Sequence, residues 1–131
     1  MSTIADHIWV PGIPRGFGSE KTERQWLDAI TGCKALKEVA KDGGDAMQRY
    51  SVVLKFIIDP HSGCYGPRYK KCGPDLDNLV KLTIDGLSKG RKDEKELRIM
   101  PGDNTVMAIS ARKRNVESGE EPGAFVTIKT V

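Results

Sequence analysis

The residues best suited to chemistry lie in one segment, Gly73-Pro74-Asp75-Leu76-Asp77-Asn78-Leu79-Val80-Lys81-Leu82-Thr83-Ile84-Asp85-Gly86-Leu87. At about 100° per residue, Asp77, Lys81, Asp85 and Ser88 fall within about 80° of one another on a helix, with Asn78 beside them. Leu76, Leu79, Val80, Ile84 and Leu87 occupy the arc on the other side of Asp77 and are expected to face the core. Asp75 leads into this helix and Asp77 starts it. Two carboxylates at i and i+2 across a loop-to-helix junction can point at one spot, where their charges repel unless a cation intervenes. A hard divalent ion such as Mg²⁺ suits them, because it takes oxygen ligands and usually only one or two protein carboxylates. A structural explanation also exists: either aspartate could cap the helix and complement its dipole. Capping accounts for one aspartate, not for two together with an asparagine and a lysine on the same face.

Other chemistries find less support. An EF-hand loop would put an oxygen ligand at Leu79 and glycine at Val80. A DxD site for nucleotide sugars lacks a glycine-rich nucleotide fold around it. No serine or cysteine–histidine motif suggests a nucleophile, and His7 and His61 are isolated in sequence. His61, Cys64 and Cys72 lie near one another but lack a tight CxxC pair and a fourth ligand, so zinc gives way to free thiols in a loop. Three cysteines with no paired spacing are not a disulfide framework.

The elements that must position the acidic segment are legible in outline. At 131 residues the chain fits one domain, taken as residues 1–131, long enough to bury a core. No apolar run is long enough for a membrane span and the N-terminus is unlike a signal peptide, so a cytoplasmic protein with no membrane partner is expected. Residues 6–11 read as a short strand stopped by Pro11. Ser19 is a plausible cap for a helix running to about residue 41, with Gly32 as a candidate break within it. Residues 50–58, YSVVLKFII, are apolar on both faces, as a central strand would be. After the acidic helix, 104–112 and 123–130 read as strands joined in a loose hairpin. The charged stretch KGRKDEKELRI is expected to add a helical turn or two. The order β-α-β-α-β-β predicts a mixed α/β fold, a small sheet with two main helices on it.

Net charge is only +3, so distribution matters more than total. Arg68, Lys70 and Lys71, then Lys89, Arg91 and Lys92, then Arg112, Lys113 and Arg114 form basic clusters, and two of them flank the acidic segment. Clusters of this kind suit phosphate contacts, although most charge runs are solvated faces.

At this point PDLDNLVKLTIDGL resembles the signature of the RusA family of Holliday-junction resolvases, DxDNxxKxxxDxL, matching at Asp75, Asp77, Asn78, Lys81, Asp85 and Leu87. That family places a further aspartate before a strand, and Gly102-Asp103-Asn104-Thr105-Val106 fills that place. The resemblance implies a RusA-like fold and a homodimer that hydrolyses phosphodiesters of four-way junctions by paired nicks, in DNA recombination and repair. It further implies Mg²⁺, with Mn²⁺ as an alternative, held by Asp75, Asp77 and Asp103, with Lys81 adding catalytic charge. Asn78 and Asp85 would support the ligands, and Arg68, Lys70, Lys71, Arg112, Lys113 and Arg114 would contact DNA. Two departures stand out. The family's acidic doublet is reduced to Gly102-Asp103, leaving a fourth carboxylate absent or supplied by Asp85. The connection from Leu87 to Asp103 is long and charged at 89–98, which puts Asp103 in competition with Asp93, Glu94 and Glu96 for the third ligand. Two other classes stay open: a non-catalytic DNA-binding module, and a general metal-dependent phosphohydrolase.

Overall fold

The computed structural model describes residues 2–16, 18–40, 45, 47–66, 72–88 and 97–131. Strand β1 spans Thr3–Pro11, helix α1 Glu20–Thr31, helix α2 Lys34–Ala40 and strand β2 Tyr50–Ile58. Helix α3 spans Leu76–Leu87, followed by strands β3, Val106–Asn115, and β4, Gly123–Thr130. Short 3₁₀ turns occupy Pro60–Ser62 and Asp103–Thr105. The expected mixed α/β architecture is what forms. The one long helix foreseen before β2 is two, and the break falls at Gly32, whose N–H bonds back to Asp28 and ends α1. Ser19 caps α1, its hydroxyl accepting from the Thr22 N–H. β1 starts three residues earlier than the pattern indicated. The further helical turns expected after α3 fall mostly on 89–96, outside the described residues.

The sheet order is β1-β4-β2-β3. β2 is central, as its two apolar faces required, paired antiparallel to β4 and parallel to β3. The expected hairpin between the last two strands does not form. β3 lies on the far side of β2, and the chain crosses the end of β2, where the Val116 N–H bonds to the Ile58 carbonyl, before returning as β4. Side-chain demand explains this. Ala124, Val126 and Ile128 of β4 are fully buried and need neighbours on both sides. β3 carries Arg112, Lys113 and Arg114, which suit an edge strand. The β2-α3-β3 crossover then places α3 against β3, as a parallel pair requires.

One face of the sheet and all three helices share a single core. Val52, Leu54, Phe56 and Ile58 of β2 pack with Trp26, Leu27, Ile30, Leu36, Leu79, Leu82 and Leu87. The apolar stripe foreseen on α3 extends further than Leu76, Leu79, Val80, Ile84 and Leu87, because Leu82 and Thr83 are also buried. The Thr83 hydroxyl accepts from the Trp26 indole N–H at 3.0 Å and donates to the Leu79 carbonyl, so both polar groups are satisfied inside the core. Gly86 lets α1 approach closely, since a Cβ there would sit 3.0 Å from Ile30 Cδ1 and 3.3 Å from Leu27 Cδ2. Gly86→Val is therefore expected to destabilise the fold by about 1–3 kcal/mol through overpacking, read as a lower urea midpoint at unchanged slope.

Candidate active site

Helix α3 turns most of the predicted polar face to solvent, but Ser88 is buried at the C-cap, its hydroxyl donating to the Ile84 carbonyl at 2.8 Å. Asp77 and Lys81 are exposed, and Asn78 and Asp85 are partly buried at its margins. The amphipathic period accounts for this: burying Leu79, Leu82, Thr83 and Leu87 against α1 and the sheet turns Asp77, Lys81 and Asp85 outward. Asp75 occupies the N-cap position in extended conformation, yet its side chain makes no capping hydrogen bond. The structural explanation for that aspartate is thus not realised. Nor is the corresponding one for Lys81, whose ammonium forms no ion pair with Asp77 or Asp85.

Two clefts meet this helix. The first, about 290 Å³, is lined by Asp75, Asn78 and Pro74 from the head of α3, by Arg15, Gly16 and Gly18 from the loop after β1, by Ser19 and Thr22 at the start of α1, and by Cys64 and Tyr65. The second, about 430 Å³, is lined by Lys81 and Asp85 with Asp103, among the apolar side chains of Val80, Ile84, Val106 and Ile109. The structure therefore brings Lys81, Asp85 and Asp103 together and sets Asp75 with Asn78 and Arg15. Asp77 is exposed in the first turn of α3. Chain direction explains the division. A helix between parallel strands runs back against them, so the end of β3 meets the start of α3, where the Lys113 ammonium donates to the carbonyls of Cys72 at 2.8 Å and Pro74 at 2.9 Å. Asp103 precedes the beginning of β3 and lies towards the other end of the helix. Asp75 and Lys81 are six residues apart, about 9 Å along the axis. Among the described residues no three His, Cys, Asp or Glu side chains form a group suited to hold a metal ion. This arrangement fits an ion bound by one or two carboxylates and completed by phosphate oxygens and water, rather than an all-protein cage. Asp93, Glu94 and Glu96, the competitors for Asp103, lie outside the described residues.

The basic residues divide. Lys113 is held by the two carbonyls just described and positions the segment that carries Asp75. Arg112 and Arg114 point to the opposite face of the sheet, because side chains alternate along a strand. Arg114 is paired with Glu120 through two hydrogen bonds, at 2.6 and 2.7 Å; this contact holds the Glu120 carboxyl down at about 2. Arg68, Lys70 and Lys71 lie outside the described residues.

Arg15 stands in a Gly- and Pro-rich loop with no motif around it to mark a role in the sequence. Its guanidinium donates to the Cys64 carbonyl and lies 5.3 Å from the centroid of the Tyr65 ring. Its buried Nε has no hydrogen-bond partner among the described residues. Tyr65 in turn donates its hydroxyl to the Pro14 carbonyl at 2.9 Å, and burial pushes its phenol well above the ordinary value of 10. The two loops are thereby joined, and a cation is fixed beside Asp75 and Asn78. All three cysteines are free.

Among the described residues no helix is long and apolar enough to cross a membrane. Compared with models of known protein families and with curated proteins, the chain matches none.

Proposed function

We propose that the chain is a divalent-metal-dependent endonuclease that cuts branched DNA at four-way junctions, as its resemblance to the RusA family implies. The observation that carries this reading is the exposed face of α3. It offers Asp77, Asn78, Lys81 and Asp85 in a row, preceded by an Asp75 carboxylate that caps nothing. Asp75 and Asp77 at the head of the helix are the carboxylates that would hold Mg²⁺ or Mn²⁺; Asp103, with Asp85 in the other cleft, is the alternative position. When bound, such an ion supplies a more acidic water and neutralises phosphate charge.

The chain's own groups account for the remaining needs of phosphodiester hydrolysis. Lys81 provides fixed positive charge where the phosphate gains it in the transition state. Asn78 orients a water or a ligand oxygen. Arg15, whose Nη1 already donates to the Cys64 carbonyl, offers fixed positive charge to a phosphate oxygen, and Lys113 positions the Asp75 segment. The basic residues 68, 70 and 71 would supply contacts along the DNA backbone; Arg112 and Arg114 point to the other face of the sheet, and Arg114 is taken by Glu120. Two opposed cuts need two sites related by a two-fold axis, which a homodimer provides. β3 is an edge strand with Met107 and Ile109 exposed, a surface suited to a second copy. We place the protein in the cytoplasm, in DNA recombination and repair.

The decisive assay is incubation with a synthetic four-way junction, against linear duplex, with and without Mg²⁺. Symmetric nicks in the junction, present only with metal, are the expected result. Binding without cleavage at every metal concentration would make the chain a DNA-binding module. Hydrolysis of free nucleotides with no junction cutting would make it a general phosphohydrolase.

A further inference from the structure

Among the described residues, the helices cover one face of the sheet and the other face carries none. Register shows what that face displays. Trp9 pairs with Phe125, Phe125 with Lys55, and Lys55 with Arg112. One row crossing all four strands thus reads aromatic, aromatic, cation, cation, over about 14 Å at the usual strand spacing. The neighbouring rows on β2, β3 and β4 hold Ser51, Val53, Ala108, Ser110, Thr127 and Lys129, without a carboxylate at any of these positions; nearer the end of β2, Ile57 is buried and Arg114 is paired with Glu120.

The aromatic end is extended by local distortion. Between Ala5 and Ile8 the pairing of β1 with β4 slips, and His7 takes a φ of 50°, unusual for a residue with a Cβ. Its exposed imidazole stacks on Phe125 at 4.2 Å and 8° between planes. Trp9 meets the same ring at 4.8 Å and lies over Gly123, where any Cβ would collide with the indole. A bulge that turns a ring outward, at a strained backbone position, is a feature proteins use to aim side chains at ligands.

We propose that this helix-free face binds single-stranded nucleic acid, with bases stacking on the His7, Phe125 and Trp9 rings and the backbone following Lys55, Arg112 and Lys129. Aromatic platforms flanked by cations bind unpaired strands of any sequence, because every base has a π-face and every link a charge. Duplex DNA hides its base faces and would use only the cations. The inference takes its ligand class from the nucleic-acid reading above and does not depend on cleavage.

The test is a titration of the full chain, in excess chelator, with oligothymidylate of about 15 nucleotides. An abasic strand and a duplex of matching length serve as controls. In chelator the proposed nuclease is silent, so the result is separable from the fate of the α3 site. Tight binding to oligothymidylate with quenching of Trp9 fluorescence is expected, with weaker binding to both controls. His7→Ala, at an exposed position, should weaken the thymidylate complex about tenfold and leave duplex binding unchanged. Arg112→Ala should reduce the salt slope by about 0.7. Equal affinity for the abasic strand, or both variants binding as the parent does, overturns the proposal. So does a dimer that the same variants dissociate, since a second copy would then occupy the face.

Discussion

Asp77→Asn is expected to abolish junction cleavage while leaving junction binding intact or tighter. The asparagine keeps the size and the helix start but removes the negative charge that an ion would need. Losing an ion that supplies several kcal/mol of transition-state stabilisation corresponds to about a 10³-fold fall in turnover or more. Binding should not suffer, because without the ion the carboxylate repels phosphate. Asp77 is exposed, so folding should be unchanged. Gel-resolved cleavage rates and junction binding in chelator check both parts. Unchanged turnover, or full activity in excess chelator, would remove Asp77 from the site. Loss of activity with Asp103→Asn but not with Asp77→Asn would move the ion to the cleft shared by Lys81, Asp85 and Asp103.

Lys81→Ala is the second large effect expected, a fall in turnover of about 10²–10³ with thermal stability little altered. Its ammonium reaches the cleft that holds Asp85 and Asp103 and, among the described residues, forms no ion pair. A surface helix pair would contribute only about 0.2–0.5 kcal/mol, and here even that is missing. Near-normal cleavage by the variant would mean that the lysine is merely solvated. Lys81→Arg separates charge from shape: a point charge on a flexible stem and a planar fork are not equivalent at a crowded phosphate.

Much of this protein is determined by local pattern. The face of α3 that shows Asp77, Lys81 and Asp85 follows from where the leucines recur, because a helix relates residues three and four apart by geometry alone. The end of α1 at Gly32 and the central place of β2 follow from a capping residue and from apolar side chains on both faces of a strand. Alternation in β3 also carried the separation of Lys113 from Arg112 and Arg114, a signal that reading the three as one basic cluster overlooked.

What only the tertiary structure decided are the relations between distant segments. β3 pairs with β2 rather than with β4, although only the seven residues 116–122 separate the last two strands, because β4 needs burial on both sides and β3 does not. That choice sets the direction of α3 against β3 and, with it, the place of Asp103 beside Lys81 and Asp85 rather than beside Asp75. Arg15 reaches the head of α3 only because Tyr65 and the Cys64 carbonyl hold its loop there. Periodicity along a chain reports which side of an element is buried; which element buries it depends on strand pairing and packing, whose free energy belongs to residues far apart in sequence.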